Sequence, residues 1–148
     1  MRAGGAVLGV DVLVTASGAP TVSLVEGWTR RLLREARAKR VSLSVLLCGD
    51  SRMRALNRAW RATDLPTDVL SFPSGEKQFL GDIVIDVPYA ARQARRRGHT
   101  LRREVQILLA HGLLHLLGYD HEKDGGTMFR RQRQILLSAF GEGPDGVP

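Results

Sequence analysis

The sequence is poor in cysteine and in aromatic residues, and it lacks a long uncharged hydrophobic run. Cys48 is the only cysteine, so the chain can form no internal disulfide, and nothing in it requires an oxidising compartment. The apolar segment AVLGVDVLV near the start is short and contains Asp11, unlike a signal peptide or a membrane span. We therefore expect a cytoplasmic protein that does not associate with a membrane.

The composition is otherwise that of a globular protein. Hydrophobic residues make up 43% of the 148 positions and charged residues 25%, so the chain can bury a core and wholesale disorder is not expected. The length predicts one domain spanning residues 1–148, in which residues 142–148 form a frayed tail.

The chain carries a formal net charge of +7, which makes a polyanion such as nucleic acid a natural partner. Arginine supplies 19 of the 22 basic residues. A genome-wide arginine bias would produce much of this charge without any ligand. Charge alone therefore leaves both interpretations open, and the positions of the arginines must decide between them.

Hydrophobic periodicity predicts four strands and five helices. Apolar residues alternate along segments 6–14, 41–47, 69–72 and 81–86, as in strands with one buried face. Spacings of three and four, with capping residues at the ends, predict helices over about 21–39, 50–60, 88–97, 100–117 and 127–140. The second helix is capped by Asp50 or Ser51 and carries Met53, Leu56 and Trp60 on its apolar side. This order predicts an α+β fold, a mixed sheet of about four strands packed with about five helices.

Three of the four histidines lie in one segment, HGLLHLLGYDH, at positions 111–121. His111 and His115 are four residues apart and therefore project from one face of a helix. Gly118 can end that helix in a left-handed conformation, so that His121 returns to the same side. Three imidazoles suit one zinc ion per chain, and three ligands leave a position open to water, as in catalytic sites. The spacing thus predicts a metal site at the end of a helix, although other first-row metals also fit nitrogen ligands.

The same histidine spacing occurs in a class of zinc proteases, whose glutamate directly after the first histidine is the general base. Here that position is Gly112, which cannot accept a proton, so peptide hydrolysis by that mechanism is disfavoured. Glu104 lies two turns before His111, about 10 Å away by the helical rise, and is too remote to replace the base. We predict that Glu104 lies on the helix surface or supports the site indirectly, and that His99 is structural.

Three motifs together resemble the YbeY family of bacterial zinc-dependent endoribonucleases, which are associated with ribosomal RNA maturation and ribosome quality control. They are HGLLHLLGYDH and, upstream, NRAWRATDLPTDVLSFP and GDIVID, and the resemblance covers positions 50–141. It implies that His111, His115 and His121 bind zinc, and that Arg61 is the important basic residue of the active-site cleft. It also implies RNA, above all ribosomal RNA, and the ribosome or its associated proteins as partners. The segment after His121 departs from the family in being rich in arginine.

Cleavage of a phosphodiester requires a nucleophile and positive charge near the phosphorus atom. A metal-bound water or a metal-polarised phosphate would meet these needs, so His115 is catalytic through the metal that it holds. The planar fork of Arg61 can hold two phosphate oxygens. Asp120 either orients a ligand histidine or caps a turn. Asp68 and Asp82 are expected only to end strands.

Ten arginines, Arg61 among them, would form a path for RNA if they border one groove. They are the arginines 52, 54, 58 and 61, and the arginines 92, 95, 96, 97, 102 and 103. The eight aromatic residues form no cluster, so a stacking platform for bases is not expected. We predict a single-strand-favouring, zinc-dependent endoribonuclease. The alternatives are a zinc hydrolase of another class, acting on peptides or small molecules, and a ribosome assembly factor without catalysis.

Overall fold

Among the residues that the structure describes, four strands form one mixed sheet and four of the five helices contact it directly, so the predicted α+β fold is confirmed. The computed structural model describes residues 9–120 and 122–142. In chain order the elements are β1 (Val10–Val14), α1 (Val22–Glu35), β2 (Ser42–Cys48), α2 (Asp50–Arg61), β3 (Val69–Pro73), β4 (Phe79–Asp86), α3 (Val87–Arg97), α4 (Leu101–Leu116) and α5 (Thr127–Phe140). The first part of the predicted first strand, His121, and most of the predicted tail lie outside the described residues.

The strand order is β1-β2-β4-β3, which places β3 at an edge. β1, β2 and β4 run parallel, and β3 runs antiparallel to β4. Alternate side chains of these strands enter two separate clusters, because successive residues of a strand point to opposite faces of the sheet. Ile83 and Ile85 belong to the larger core, which includes residues of α1, α4 and α5, whereas Val84 packs with Met53 of α2 in the smaller one.

Helix α4 is the central helix of the larger core, and most of its apolar side chains are buried. Thr100 caps its start, since its side-chain oxygen accepts a hydrogen bond from the Arg103 N–H. Before it, α3 ends at Gly98 in the left-handed conformation expected of a glycine cap (φ 76°). The predicted boundaries of these two helices are therefore confirmed to within about one residue.

Two details of α2 differ from the sequence-based prediction. Its N-cap is Gly49, which offers no side chain for capping, and Asp50 already belongs to the helix. Trp60 lies outside the apolar face formed by Met53, because 71% of its surface is exposed and its ring meets only the edge of Phe72. Helical spacing placed Trp60 near this face, but its ring lies at the end of the helix and remains mostly exposed to solvent.

Candidate active site

A cleft of about 320 Å³ lies where α4 passes edge strand β3. Side chains from five elements and one loop line it, among them Arg61, Asp68, Arg97, His111, His115 and Gln132. Both described histidines of the predicted metal site and the predicted phosphate-binding arginine thus lie in one cavity.

No described helix is both long and apolar enough to cross a bilayer.

The two histidines lie on the last two turns of α4, with their ring centroids 4.7 Å apart and their planes at 81°. The Nδ1 of His111 is 2.8 Å from the side-chain oxygen of Gln132 on α5. The Nδ1 of His115 is 3.1 Å from the main-chain oxygen of Tyr119. A carbonyl oxygen only accepts hydrogen bonds, so each Nδ1 donates, and a neutral ring then carries its lone pair on Nε2.

This arrangement fits a metal ion. Histidine ligands in proteins usually donate their second ring N–H to an oxygen that fixes the ring, as both rings do here. His121, the third predicted ligand, lies outside the described residues, and within residues 9–120 and 122–142 no three potential ligands form a metal-binding group. The described part of the chain therefore brings together two of the three predicted ligands.

The turn after α4 orients His115. Gly118 adopts a left-handed conformation (φ 100°), as predicted, and its N–H donates to the main-chain oxygen of His115. The Tyr119 N–H donates to the oxygen of Leu114 at 3.0 Å. These bonds reverse the chain, so the Tyr119 oxygen faces the ring of His115. The turn that Gly118 forms at the end of the helix thus also places the Tyr119 oxygen as the acceptor for that histidine.

Gly112 marks the contact between α4 and the sheet. A Cβ atom at this position would lie 2.9 Å from Cγ2 of Ile83 and 3.1 Å from Oγ of Ser71. The Ser71 hydroxyl also donates to the Gly112 oxygen at 3.3 Å. The position that bears the general base in zinc proteases is therefore filled by β3 and β4. A glutamate side chain has no room here.

Arg61 is the last residue of α2, and the loop after it is tied back to the helix. Asn57 donates from its amide to the Leu65 oxygen at 2.8 Å. Arg54 binds both carboxylate oxygens of Asp64, at 2.8 and 3.1 Å. These bonds fix the end of the helix, from which the side chain of Arg61 reaches the cleft.

The three aspartates considered from the sequence occupy different environments. Asp120 is exposed and caps a turn, because its Oδ1 accepts a hydrogen bond from the Glu122 N–H at 3.1 Å. Asp68 precedes β3 and also lines the cleft. Asp82 lies inside β4 rather than at its end, and it accepts a hydrogen bond from Ser44.

Glu104 is wholly buried, so of the two predicted alternatives the position on the helix surface is wrong, and indirect support of the site stays a prediction. Its carboxylate binds the Nη1 of Arg97 at 2.9 Å, the Nε2 of His99 at 2.8 Å and the Nε2 of Gln93 at 3.1 Å. His99 is itself largely buried and is structural, as predicted. The spacing of Glu104, Leu108 and His111 along one face of α4 was the available signal that this carboxylate points inward.

A second buried carboxylate lies at the start of α3, among residues that do not line the cleft. Asp86 caps that helix by accepting a hydrogen bond from the Tyr89 N–H at 3.2 Å. Burial and the neighbouring Asp50 raise the pKa of Asp86 to about 7. A hydrogen bond with Asp86 and the Arg92 guanidinium, 3.1 Å away, hold the pKa of Asp50 below its usual range. Burial likewise raises the pKa of the Cys48 thiol to about 11.

The ten arginines predicted to border one groove do not all lie together. Arg61 and Arg97 line the cleft. Arg54 and Arg92 instead pair with aspartates, and Arg103 is buried and donates to the oxygen of Gly141. The cleft therefore contains two arginines from different helices.

Comparison with known proteins identifies the family. The family model described as Endoribonuclease YbeY matches residues 17–139. Proteins named Endoribonuclease YbeY from Aquifex aeolicus and Sulfurihydrogenibium sp. are 49% and 45% identical, over 77% and 78% of this chain and 80% and 82% of their own. The solution structure of TM1509 from Thermotoga maritima is similar with a TM-score of 0.69 and 29% identity, over 90% of each chain. By its sequence, its fold and the length of the match, this chain belongs to the YbeY endoribonuclease family.

Proposed function

We propose that the protein is a zinc-dependent endoribonuclease that favours single-stranded RNA and acts in ribosomal RNA maturation and ribosome quality control. The observation that carries this function is the pair of anchored histidines in one cleft with Arg61. Its substrate is RNA, above all ribosomal RNA, and the ribosome and its associated proteins are its partners in the cytoplasm. The relatives named Endoribonuclease YbeY support the activity.

His111, His115 and His121 are the proposed ligands of one zinc ion. Gln132 and the Tyr119 oxygen hold the first two rings in the tautomer that presents Nε2. When bound, zinc would supply a Lewis acid in the cleft. Asp120 supports this site through the turn that it caps beyond His115, where its Oδ1 accepts a hydrogen bond from the Glu122 N–H.

Arg61 binds the phosphate of the substrate. Its guanidinium presents paired N–H groups that match two phosphate oxygens, and its charge offsets the negative charge that accumulates as the phosphodiester bond breaks. Positive charge in a cleft that also holds the proposed metal ligands favours a phosphodiester over a peptide as the substrate. Because Gly112 leaves no room for a general base, hydrolysis of a peptide by the zinc-protease mechanism is disfavoured as well.

The first test is cleavage of end-labelled single-stranded RNA by the purified zinc-loaded protein. We expect internal cuts by the wild type and none by His115→Ala, which should also have lost zinc. If both proteins cut equally, or neither cuts, the protein is not this nuclease. Activity of the wild type on peptides without cleavage of RNA would favour a zinc hydrolase of another class, and binding without turnover would favour an assembly factor.

Arg61→Ala separates phosphate binding from metal binding. We expect cleavage to fall by about a hundredfold, as when one donor to a transition-state oxyanion is removed, while the zinc content stays unchanged. Arg58→Ala is the matched control, since Arg58 lies one turn earlier on α2 and does not line the cleft. Loss of zinc from Arg61→Ala would contradict the phosphate role, because it would show that this arginine holds the site together.

A further inference from the structure

A second arginine, Arg97, enters the same cleft from the end of α3. Its Nη1 donates to Oε2 of Glu104 at 2.9 Å. The two partners differ in exposure, because 51% of the Arg97 side chain is accessible to solvent and none of the Glu104 side chain is. The arginine is thus anchored from behind by a buried carboxylate and remains open on the side of the cleft.

The carboxylate that holds Arg97 is itself fixed by two further side chains. His99 contacts Oε1 of Glu104, and the Gln93 amide donates to Oε2. The same Gln93 nitrogen donates to Oδ2 of Asp68, another residue of the cleft wall, at 3.1 Å. Both hydrogens of the Gln93 amide are therefore in use. The network leaves Glu104 little freedom to move, so it fixes where the Arg97 guanidinium lies.

Glu104 also sets the position of Arg97 relative to the metal ligands. It lies on α4, the helix that carries His111 and His115, about two turns and roughly 10 Å before the first of them. A rigid helix thus connects the anchor of this arginine to the two histidines. Arg61 reaches the cleft from α2, a different helix, so the two positive charges are positioned independently.

We propose that Arg97 is a second phosphate-binding residue of the cleft, and that it contacts the RNA backbone at a phosphate other than the one bound by Arg61. The inference rests on the proposed function, since it takes RNA as the substrate. A guanidinium carries five N–H donors, and the hydrogen bond to Glu104 uses one of them. The remaining donors can bind phosphate oxygens from a fixed position, which reduces the entropy lost on binding. Two cations that enter one cleft from different helices favour a chain of phosphates over a substrate with a single phosphate.

The test is the salt dependence of RNA binding, because each phosphate contact on a single strand contributes about 0.7 to the slope of log K against log salt. Binding of a short end-labelled single-stranded RNA by the zinc-loaded protein is measured by fluorescence anisotropy at several salt concentrations. Because the wild type is expected to cut unmodified RNA, the probe carries phosphorothioate linkages, which keep its charge and slow cleavage, and electrophoresis afterwards checks that it is intact. For Arg97→Gln we expect a slope smaller by about 0.7 and affinity about tenfold weaker at low salt, with zinc content unchanged.

Arg96→Gln is the matched control. Arg96 lies on the same helix, is exposed and does not line the cleft, and its replacement changes the net charge by the same amount. We expect its slope to equal that of the wild type. An equal decrease in both variants would overturn the inference, because it would show that only the total charge of the protein matters.

A second variant covers the case in which Arg97→Gln unfolds because Glu104 is left buried without its counterion. The double variant Arg97→Gln with Glu104→Gln removes both charges, keeps the net charge of +7 and retains groups that can bond to Gln93 and His99. We expect the reduced slope here as well. A wild-type slope in the double variant would mean that Arg97 is only the counterion of Glu104.

The outcomes separate this inference from the function on which it rests. If the wild type binds and cuts RNA while both Arg97 variants keep its slope, the inference fails and the nuclease stands. If the wild type binds no RNA at any salt concentration, the proposed function fails and the inference fails with it.

Discussion

At the scale of single residues, both histidines of the cleft depend on an acceptor beyond the end of α4. His115 takes its acceptor from the turn that follows the helix, four residues on, and His111 from Gln132 on another helix, 21 residues on. The spacing of the histidines predicted that they share a face, because that follows from helix geometry alone. It could not predict Gln132, because a partner on another helix depends on how the two helices pack.

Replacement of Gln132 tests the anchoring of His111. We expect Gln132→Ala to weaken zinc binding by about 10- to 100-fold, the usual effect of removing the hydrogen-bond partner of a metal ligand. Competition with a chromogenic zinc chelator measures the affinity. Gln134→Ala is the control, since Gln134 lies on the same helix, is exposed and contacts Arg131 instead. Unchanged zinc affinity in Gln132→Ala would show that this amide does not support a ligand.

At the scale of elements, the site depends on how closely α4 approaches the sheet. Gly112 allows the helix backbone to lie against Ile83 and Ser71. The sequence alone showed that a general base is missing at this position, but only the packing shows that there is no space for one. The element order and most boundaries followed from periodicity and caps, whereas the burial of Glu104 did not, because its three partners are reached through tertiary contacts.

We expect Gly112→Ala to lower the free energy of unfolding by about 1–2 kcal/mol, because the added methyl group overpacks a rigid, buried contact. This net loss is what remains of an overpacking cost of about 2–3 kcal/mol after the gain of roughly 1 kcal/mol that alanine brings to a helix. Gly27→Ala in α1 is the control, since a Cβ there meets nothing within 4 Å. Urea denaturation measures the free energy of unfolding of both variants, and Gly27→Ala should be more stable than the wild type. A stabilised Gly112→Ala would contradict the close contact.

At the scale of the whole molecule, stability should depend on pH through Asp86. In the folded protein this carboxyl keeps its proton up to about pH 7, whereas in the unfolded chain it loses it near pH 4. The folded state therefore binds more protons between these values. The free energy of unfolding then falls as pH rises through this window and levels off above it. Asp50, with a lowered pKa, acts only at lower pH, where its protonation removes stability.

Asp86→Asn should flatten this dependence. Asparagine resembles the protonated acid and can still cap α3, so the variant should lack the loss of about 2–4 kcal/mol between pH 4.5 and 7.5 that we expect of the wild type. Urea denaturation of the zinc-saturated proteins across this range measures it, and the difference between variant and wild type removes the pH dependence that they share. Asp64→Asn, which removes an exposed carboxylate whose pKa is lowered by Arg54, should keep the wild-type dependence. Equal dependence in Asp86→Asn and the wild type would contradict the raised pKa.

The hydrogen bond between His111 and Gln132 links the proposed zinc site to the docking of the last helix. If α5 moves away, the ring of His111 loses its acceptor, so the open form binds zinc less tightly. Thermodynamic reciprocity then requires that zinc favour the docked form by the same free energy. Bound zinc would therefore stabilise the packing of α5 against α4. Hydrogen exchange in α5 should slow when zinc is added, before any RNA is present.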